Sequence, residues 1–165
     1  MKLISVALFA PAIVVLSAHA DEAVSLSPSD LAVVAGDDWT GSLTYVNYQP
    51  PFEDVTIPAN LEVEATETGL KLAYIYPDEP HANSTITLKV SEDGTMMMGE
   101  PIVSNALLET GAREVKTAFP CEDMDKAASC EMTYTFGASE LNVTKMVTYE
   151  GETDAFRRNT YSFTR

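Results

Sequence analysis

The chain has 165 residues and a formal net charge of −15 at neutral pH, with 25 acidic residues against 10 basic ones. This length fits one ordinary domain that can bury a hydrophobic core. So acidic a chain repels nucleic acid and anionic lipid, and we therefore expect neither of them as a partner.

The first twenty residues have the pattern of a secretory signal peptide. Lys2 gives a positive start, residues 3–16 are almost wholly apolar, and Ala18-His19-Ala20 places small residues at the two positions that determine cleavage. A membrane anchor is the alternative, but the apolar run is short for a bilayer span, and no later segment could span one. We predict cleavage after Ala20, a mature domain of residues 21–165, no integral membrane segment after cleavage, and a periplasmic or secreted location.

The mature chain is predicted to begin with a short helical turn that leads into a strand. Ser27 can cap a helix, Pro28 suits its first position, and Gly36 can end it. In the segment 39–48, bulky apolar residues such as Trp39 and Leu43 alternate with small polar ones, which indicates a strand with one buried face.

The remaining chain is predicted to form short strands joined by turns. Alternating patterns indicate strands over residues 55–65, 70–76, 85–90, 95–98, 114–119, 131–137, 141–149 and 156–164, whereas residues 101–111 fit either an extended segment or a short helical turn. Such consecutive hairpins close naturally into a barrel, which removes exposed edges. We predict an all-β fold, a single antiparallel up-and-down barrel of about 8–10 strands. A β-sandwich is the alternative.

The helical turn, the Asp-Trp-Thr-Gly strand around Trp39 and the meander together resemble the calycin superfamily, the lipocalin-like barrels. In that superfamily a tryptophan opens the first strand, and a basic residue near the chain end packs over it and closes the base. The resemblance implies the first role for Trp39 and the second for one of the C-terminal arginines, Arg157, Arg158 or Arg165, of which we assign closure to Arg158 or Arg165. Both ends of the domain are also similar to uncharacterised exported bacterial proteins, which implies a fold and no particular activity.

Cys121 and Cys130 are predicted to form a disulfide, because an even, closely spaced pair in an exported protein is usually bonded. The eight residues between them would form a hairpin loop that the bond staples. A redox or metal-binding pair is disfavoured, since the Cys-x-x-Cys spacing and a nearby histidine are both missing.

Two cations share the inward phase of predicted strands. Lys145 alternates with Val143 and Val147, and Arg157 has the parity of Tyr161, although a bulge would exchange the faces. A buried cation is costly unless it is paired, so these side chains would suit an anionic ligand; alternatively Lys145 lies near a rim or pairs with an acid. The predicted ligand-binding residues are Tyr45, Tyr74, Tyr134, Lys145 and Arg157.

No motif in the chain specifies a reaction or a metal site. His81 lies in a polar loop without a companion, and the acidic residues Glu122, Asp123 and Asp125 lack the EF-hand pattern. A Gly-x-Ser-x-Gly elbow is also missing. We therefore predict no catalytic residue, no metal and no cofactor, and an enzyme ranks third among the functional hypotheses.

The leading hypothesis is an exported, non-enzymatic barrel that binds a small hydrophobic or anionic amphiphilic ligand. The alternative is a protein-interaction module of the cell envelope, an inhibitor or an assembly partner. Such a module would use the segment 21–27 as an arm or Met96, Met97 and Met98 as an apolar contact. A cavity inside the barrel would favour the first hypothesis, and a filled interior would exclude it.

Overall fold

The computed structural model describes residues 24–165, and the proposed signal peptide, residues 1–20, lies outside them. A short helix, α1 (Pro28–Leu31), continues as a 3-10 turn over Ala32–Val34, and a second 3-10 turn covers Pro80–Ala82. The strands are β1 (Gly36–Val46), β2 (Asp54–Thr66), β3 (Gly69–Ile75), β4 (Ser84–Lys89), β5 (Met96–Met97), β6 (Glu100–Leu107), β7 (Arg113–Asp123), β8 (Lys126–Phe136), β9 (Glu140–Tyr149) and β10 (Phe156–Thr164). None of the described helices is both long and apolar enough to cross a membrane.

The ten strands form one antiparallel sheet that is nearly closed into a barrel. Their order is β4-β3-β2-β1-β10-β9-β8-β7-β6-β5, so the first strand pairs with the last. The two ends of the sheet meet where Val90 pairs with Met97 and the Met98 amide donates to the Lys89 carbonyl at 2.8 Å. The prediction of an all-β, up-and-down barrel is confirmed, and a sandwich is excluded because all ten strands belong to one continuous ladder.

The base of the barrel, the end at which α1 lies, is filled by apolar side chains. Asp30 accepts a hydrogen bond from the Ser27 amide at 2.9 Å and so fixes the start of α1. Gly41 allows β1 to approach β10, because a Cβ there would collide with the Ser162 carbonyl. The largest fully buried side chains include Leu31, Val34, Trp39, Leu61, Leu72, Phe136, Leu141 and Phe163.

The disulfide between Cys121 and Cys130 is present, but it lies across a hairpin rather than around a loop. Both cysteines belong to paired strands, with Cys121 opposite Ala128 and Cys130 opposite Phe119. The chain reverses at Met124 and Asp125, which have φ angles of 49° and 60°. The predicted eight-residue loop is therefore wrong, because the strands continue through both cysteines to a tight turn.

Candidate functional site

Inward-facing side chains form layers that differ in burial along the barrel, and the layer of Cys130 and Val147, beyond the two described next, is fully buried. In the lower layer, register places Leu43, Tyr161, Val143 and Tyr134 side by side on β1, β10, β9 and β8. The next layer holds Tyr45, Asn159, Lys145 and Met132, all half-buried. We call the half-open region at this second layer the mouth. The interior is thus packed at the base and partly open at the mouth.

A cluster of tyrosines fills the interior just below the mouth. The Tyr74 and Tyr161 ring centroids are 4.8 Å apart, and the Tyr76 and Tyr161 hydroxyl oxygens are 2.8 Å apart. Burial raises the pKa of Tyr134 to about 12, helped by the Glu100 carboxylate, and burial also raises the pKa values of Tyr74 and Tyr161. These phenols are therefore neutral at physiological pH and serve as packing and hydrogen-bonding groups.

The buried tyrosines predict a loss of stability at alkaline pH. A phenol whose pKa is higher in the folded state than in the unfolded state, where it is about 10, contributes its full stabilisation below pH 10. That contribution is lost as the pH rises through the pKa of the folded state. We expect the free energy of unfolding to fall between about pH 10 and pH 12, and to fall less in Tyr134→Phe. Urea unfolding at several pH values across this range measures the free energy of unfolding. Complete ionisation of the tyrosines near pH 10 in the folded protein would contradict the predicted loss.

A cavity of about 300 Å³ opens at the mouth. Its volume lies at the lower end of the range for small-molecule sites. Seven of its ten lining residues are aliphatic or aromatic, and the other three are polar. The apolar and aromatic residues are Leu43, Val46, Ile57, Ala82, Tyr45, Tyr48 and Tyr76, and the polar ones are Glu79, Arg158 and Asn159.

Arg158 forms a buried ion pair at this cavity. Its Nε donates to Asp123 Oδ1 at 2.9 Å, and the two side chains are 4% and 3% exposed. The Tyr149 hydroxyl donates to the other carboxylate oxygen of Asp123 at 2.8 Å. Arg158 Nη1 donates to the Val46 carbonyl at 3.0 Å, and the guanidinium carbon lies 3.4 Å from the centroid of the Tyr48 ring. The pair joins the β7–β8 hairpin to β10 above the mouth.

A bulge determines which of the two adjacent arginines lines the cavity. The register of β10 against β9 shifts between Arg157 and Asn159. Arg157 lies opposite Met146, which is on the other face of β9 from the buried Val147. Arg157 therefore takes the outer face, where it pairs with Asp54. The expectation that Arg157 faces a ligand inside the barrel is corrected accordingly, since it is Arg158 that lines the cavity.

Arg165 packs over Trp39 at the base, and Arg158 lies elsewhere. The Arg165 guanidinium carbon lies 4.3 Å from the Trp39 ring centroid, and its nitrogens donate to the carbonyls of Val33, Ala35 and Ala138. The Trp39 Nε1 donates to the Val34 carbonyl at 2.9 Å. Of the two arginines assigned to closure, Arg158 is thus at the opposite end of the barrel because it is bulged and paired with Asp123.

Of the five residues assigned to ligand binding, Tyr45 alone lines the mouth cavity. Tyr74 and Tyr134 are buried below it, at 6% and 8% exposure. Lys145 shares the inward phase of Val143 and Val147 but lies beyond Asn159, outside the cavity wall. Among residues 24–165 it forms no ion pair. No pattern in the sequence indicates that Glu79 and Ala82 line a cavity.

A second hollow, of about 650 Å³, lies against β7, β8 and β9. Part of its wall is on the outer face, since Ser129 and Thr148 pair with each other out of phase with the buried Cys130 and Val147. The charged residues in its wall are both acidic, Glu150 and Glu152. Elsewhere on the surface, Met96 and Met98 are exposed while Met97 is fully buried.

No protein-family model matches the chain, and no curated protein matches its sequence. The nearly closed ten-stranded barrel is consistent with a calycin-like architecture.

Proposed function

We propose that the barrel binds a small, uncharged and largely apolar molecule at its mouth. The observation that carries this proposal is the cavity of about 300 Å³ above a filled base, with aliphatic and tyrosine side chains in its wall. Small-molecule sites typically combine such a wall with a few polar groups that orient the ligand, and here Arg158 and Asn159 are candidates for that role.

The charges around the cavity favour an uncharged ligand over an anionic one. Asp123 already neutralises Arg158, and Glu79 adds a carboxylate to the wall. Neither cation that would suit an anion is part of the wall, because Arg157 faces outward and Lys145 lies beyond Asn159. An anion would therefore gain little attraction there, and it would approach a chain of net charge −15.

Binding of N-phenylnaphthylamine, an uncharged fluorescent probe, tests the proposal. We expect saturable fluorescence enhancement with the wild-type protein and at least about tenfold weaker binding in Ala82→Trp, because the indole would occupy the cavity. The matched control is Ala106→Trp, which adds the same side chain at an exposed position of β6. Absence of saturable binding, or equal weakening in both variants, would overturn the proposal.

Export and a calycin-like relationship are further parts of this proposal. Disulfides persist in oxidising compartments, so the Cys121–Cys130 bond supports an exported protein in the periplasm or outside the cell. The barrel, with its N-terminal helical turn and Arg165 over Trp39, supports the relationship.

A protein partner is the second candidate, and the hollow against β7, β8 and β9 favours it. Small residues such as Ala118 and Ala127 lie there beside Glu150 and Glu152, which would suit a basic partner. Because this hollow is separate from the mouth, Ala82→Trp would leave such an interaction unchanged.

A further inference from the structure

The free edge of β4 presents main-chain groups to which another strand can bind. β4 pairs with β3 on one side, and no strand of residues 24–165 pairs with its residues 84–88 on the other side. Beyond them, the Lys89 carbonyl accepts from the Met98 amide on this open side. Because the main-chain groups of alternate residues point to the same side of a strand, those of Thr85 and Thr87 also point to the open side. Their N–H and C=O groups are therefore available to a further strand.

Other stretches of strand that lack a neighbour are protected against such pairing. β2 and β7 run past β3 and β6, and these stretches contain Pro58 and Pro120, which cannot donate a main-chain hydrogen bond. The N-terminal segment lies beside β6, where the Asn105 side-chain amide donates to the Ser25 carbonyl. Residues 84–88 contain no charge and no proline, and their register with β3 has no bulge. This edge thus lacks the features that usually prevent pairing between molecules.

The open edge also exposes an apolar side chain. Ile86 lies opposite the buried Leu72 and so faces inward, yet it is 37% exposed. Thr85 and Thr87 take the outer face, and β-branched residues of this kind favour strands. A strand added at this edge would cover Ile86 and would bond the main-chain groups on either side of it.

We propose that two copies of this chain associate by antiparallel pairing of their β4 edges, with a twofold axis at Ile86. In this register Thr85 of each copy lies opposite Thr87 of the other, and these residues exchange the main-chain hydrogen bonds that point to the open side. The Ile86 side chains of the two copies meet at the axis of a self-complementary interface, and Thr–Thr pairs across strands are favourable. No residue of β4 lines the mouth cavity, so the inference is independent of the proposed function.

The charges at the two ends of β4 favour a second copy over an unrelated strand. Lys89 lies at one end, and Asp78 and Glu79 lie in the segment that precedes the other end. Within residues 24–165 none of these side chains forms an ion pair. Antiparallel pairing brings Lys89 of each copy towards Asp78 and Glu79 of the other, so the edge is complementary to itself in charge. The net charge of −15 on each copy opposes association, and we therefore expect a reversible dimer.

Sedimentation equilibrium of the purified protein tests the association. We expect a dimer fraction that rises with protein concentration, and association at least about tenfold weaker in Thr87→Lys, because a lysine on the edge opposes pairing. The matched control is Thr40→Lys, which makes the same change of charge at an exposed position of β1 and should leave the association unchanged. Circular dichroism of both variants checks that the barrel is folded.

The variant Ile86→Cys tests the register. Two cysteines at the axis would form a cross-strand pair with Cβ atoms about 4.5–5.5 Å apart, from which a small adjustment allows a disulfide. Mild oxidation should therefore give a covalent dimer of Ile86→Cys. The matched control, Val33→Cys, places a cysteine at a position that is 45% exposed in the N-terminal turn, and it should give no such dimer.

Three results would overturn the proposal. The first is a monomer at every concentration up to about 1 mM, or equal weakening by Thr87→Lys and Thr40→Lys. The second is a dimer that Ile86→Cys does not cross-link, which would place the interface elsewhere. The third is slow hydrogen exchange of the Thr85 and Thr87 amides in a monomer that carries a co-purified peptide, which would assign the edge to an extended peptide.

Discussion

Replacing Asp123 with alanine is expected to lower the free energy of unfolding by about 3–5 kcal/mol, because the Arg158 charge would then be buried without a partner. This is a large part of the about 5–15 kcal/mol that stabilises an ordinary domain. Arg158→Met should have a similar effect, because it would leave the Asp123 carboxylate buried without its partner. Urea unfolding followed by circular dichroism gives the values.

The double variant and an exposed pair complete this prediction. Removal of both Asp123 and Arg158 should cost clearly less than the sum of the single changes, since the double variant leaves no unpaired charge behind. Asp54→Ala breaks the half-exposed pair with Arg157 and should cost at most about 1 kcal/mol. If Asp123→Ala were no more harmful than Asp54→Ala, the buried pair would not stabilise the mouth.

Trp39→Ala is expected to cost about 3–5 kcal/mol, because it removes a large side chain that is 1% exposed in the base. The change also removes the surface on which Arg165 stacks and the donor to the Val34 carbonyl, so the N-terminal turn should loosen first. Urea unfolding by circular dichroism measures the loss, and proteolysis near α1 reports the loosening.

Two further variants separate the contributions at the base. Trp39→Phe keeps an aromatic ring and should be less harmful than Trp39→Ala. Leu107→Ala truncates an apolar side chain that is 69% exposed on β6, and it should change the free energy of unfolding by no more than about 0.5 kcal/mol. Similar effects of Trp39→Ala and Leu107→Ala would show that the base is not held by the tryptophan.

Most of the barrel could be predicted from sequence, because its strands obey strict alternation. The strands β8 and β9 place alternate apolar residues on the buried face. The segment 101–111 escaped assignment for a physical reason: β6 is bulged between Ile102 and Ser104, which breaks the period on which the prediction depends.

The same effect limited the prediction of the site. A bulge between Arg157 and Asn159 inverts which arginine faces inward, and alternation alone does not locate a bulge. Asp123 falls in the loop predicted between the cysteines, and only the extension of β7 past the disulfide in the folded barrel brings it to Arg158. The mouth cavity combines β1, β2, β10 and the turn at Pro80–Ala82, which are far apart in the chain.

The most direct test of ligand binding at the mouth is the map of backbone amide NMR shifts during titration with N-phenylnaphthylamine. Saturable shifts are expected at Tyr45, Tyr76, Ala82 and Asn159, with the base around Trp39 unchanged. Shifts confined to the hollow against β7, β8 and β9, or no saturable shifts at all, would contradict the proposal that the mouth of the barrel is a binding site.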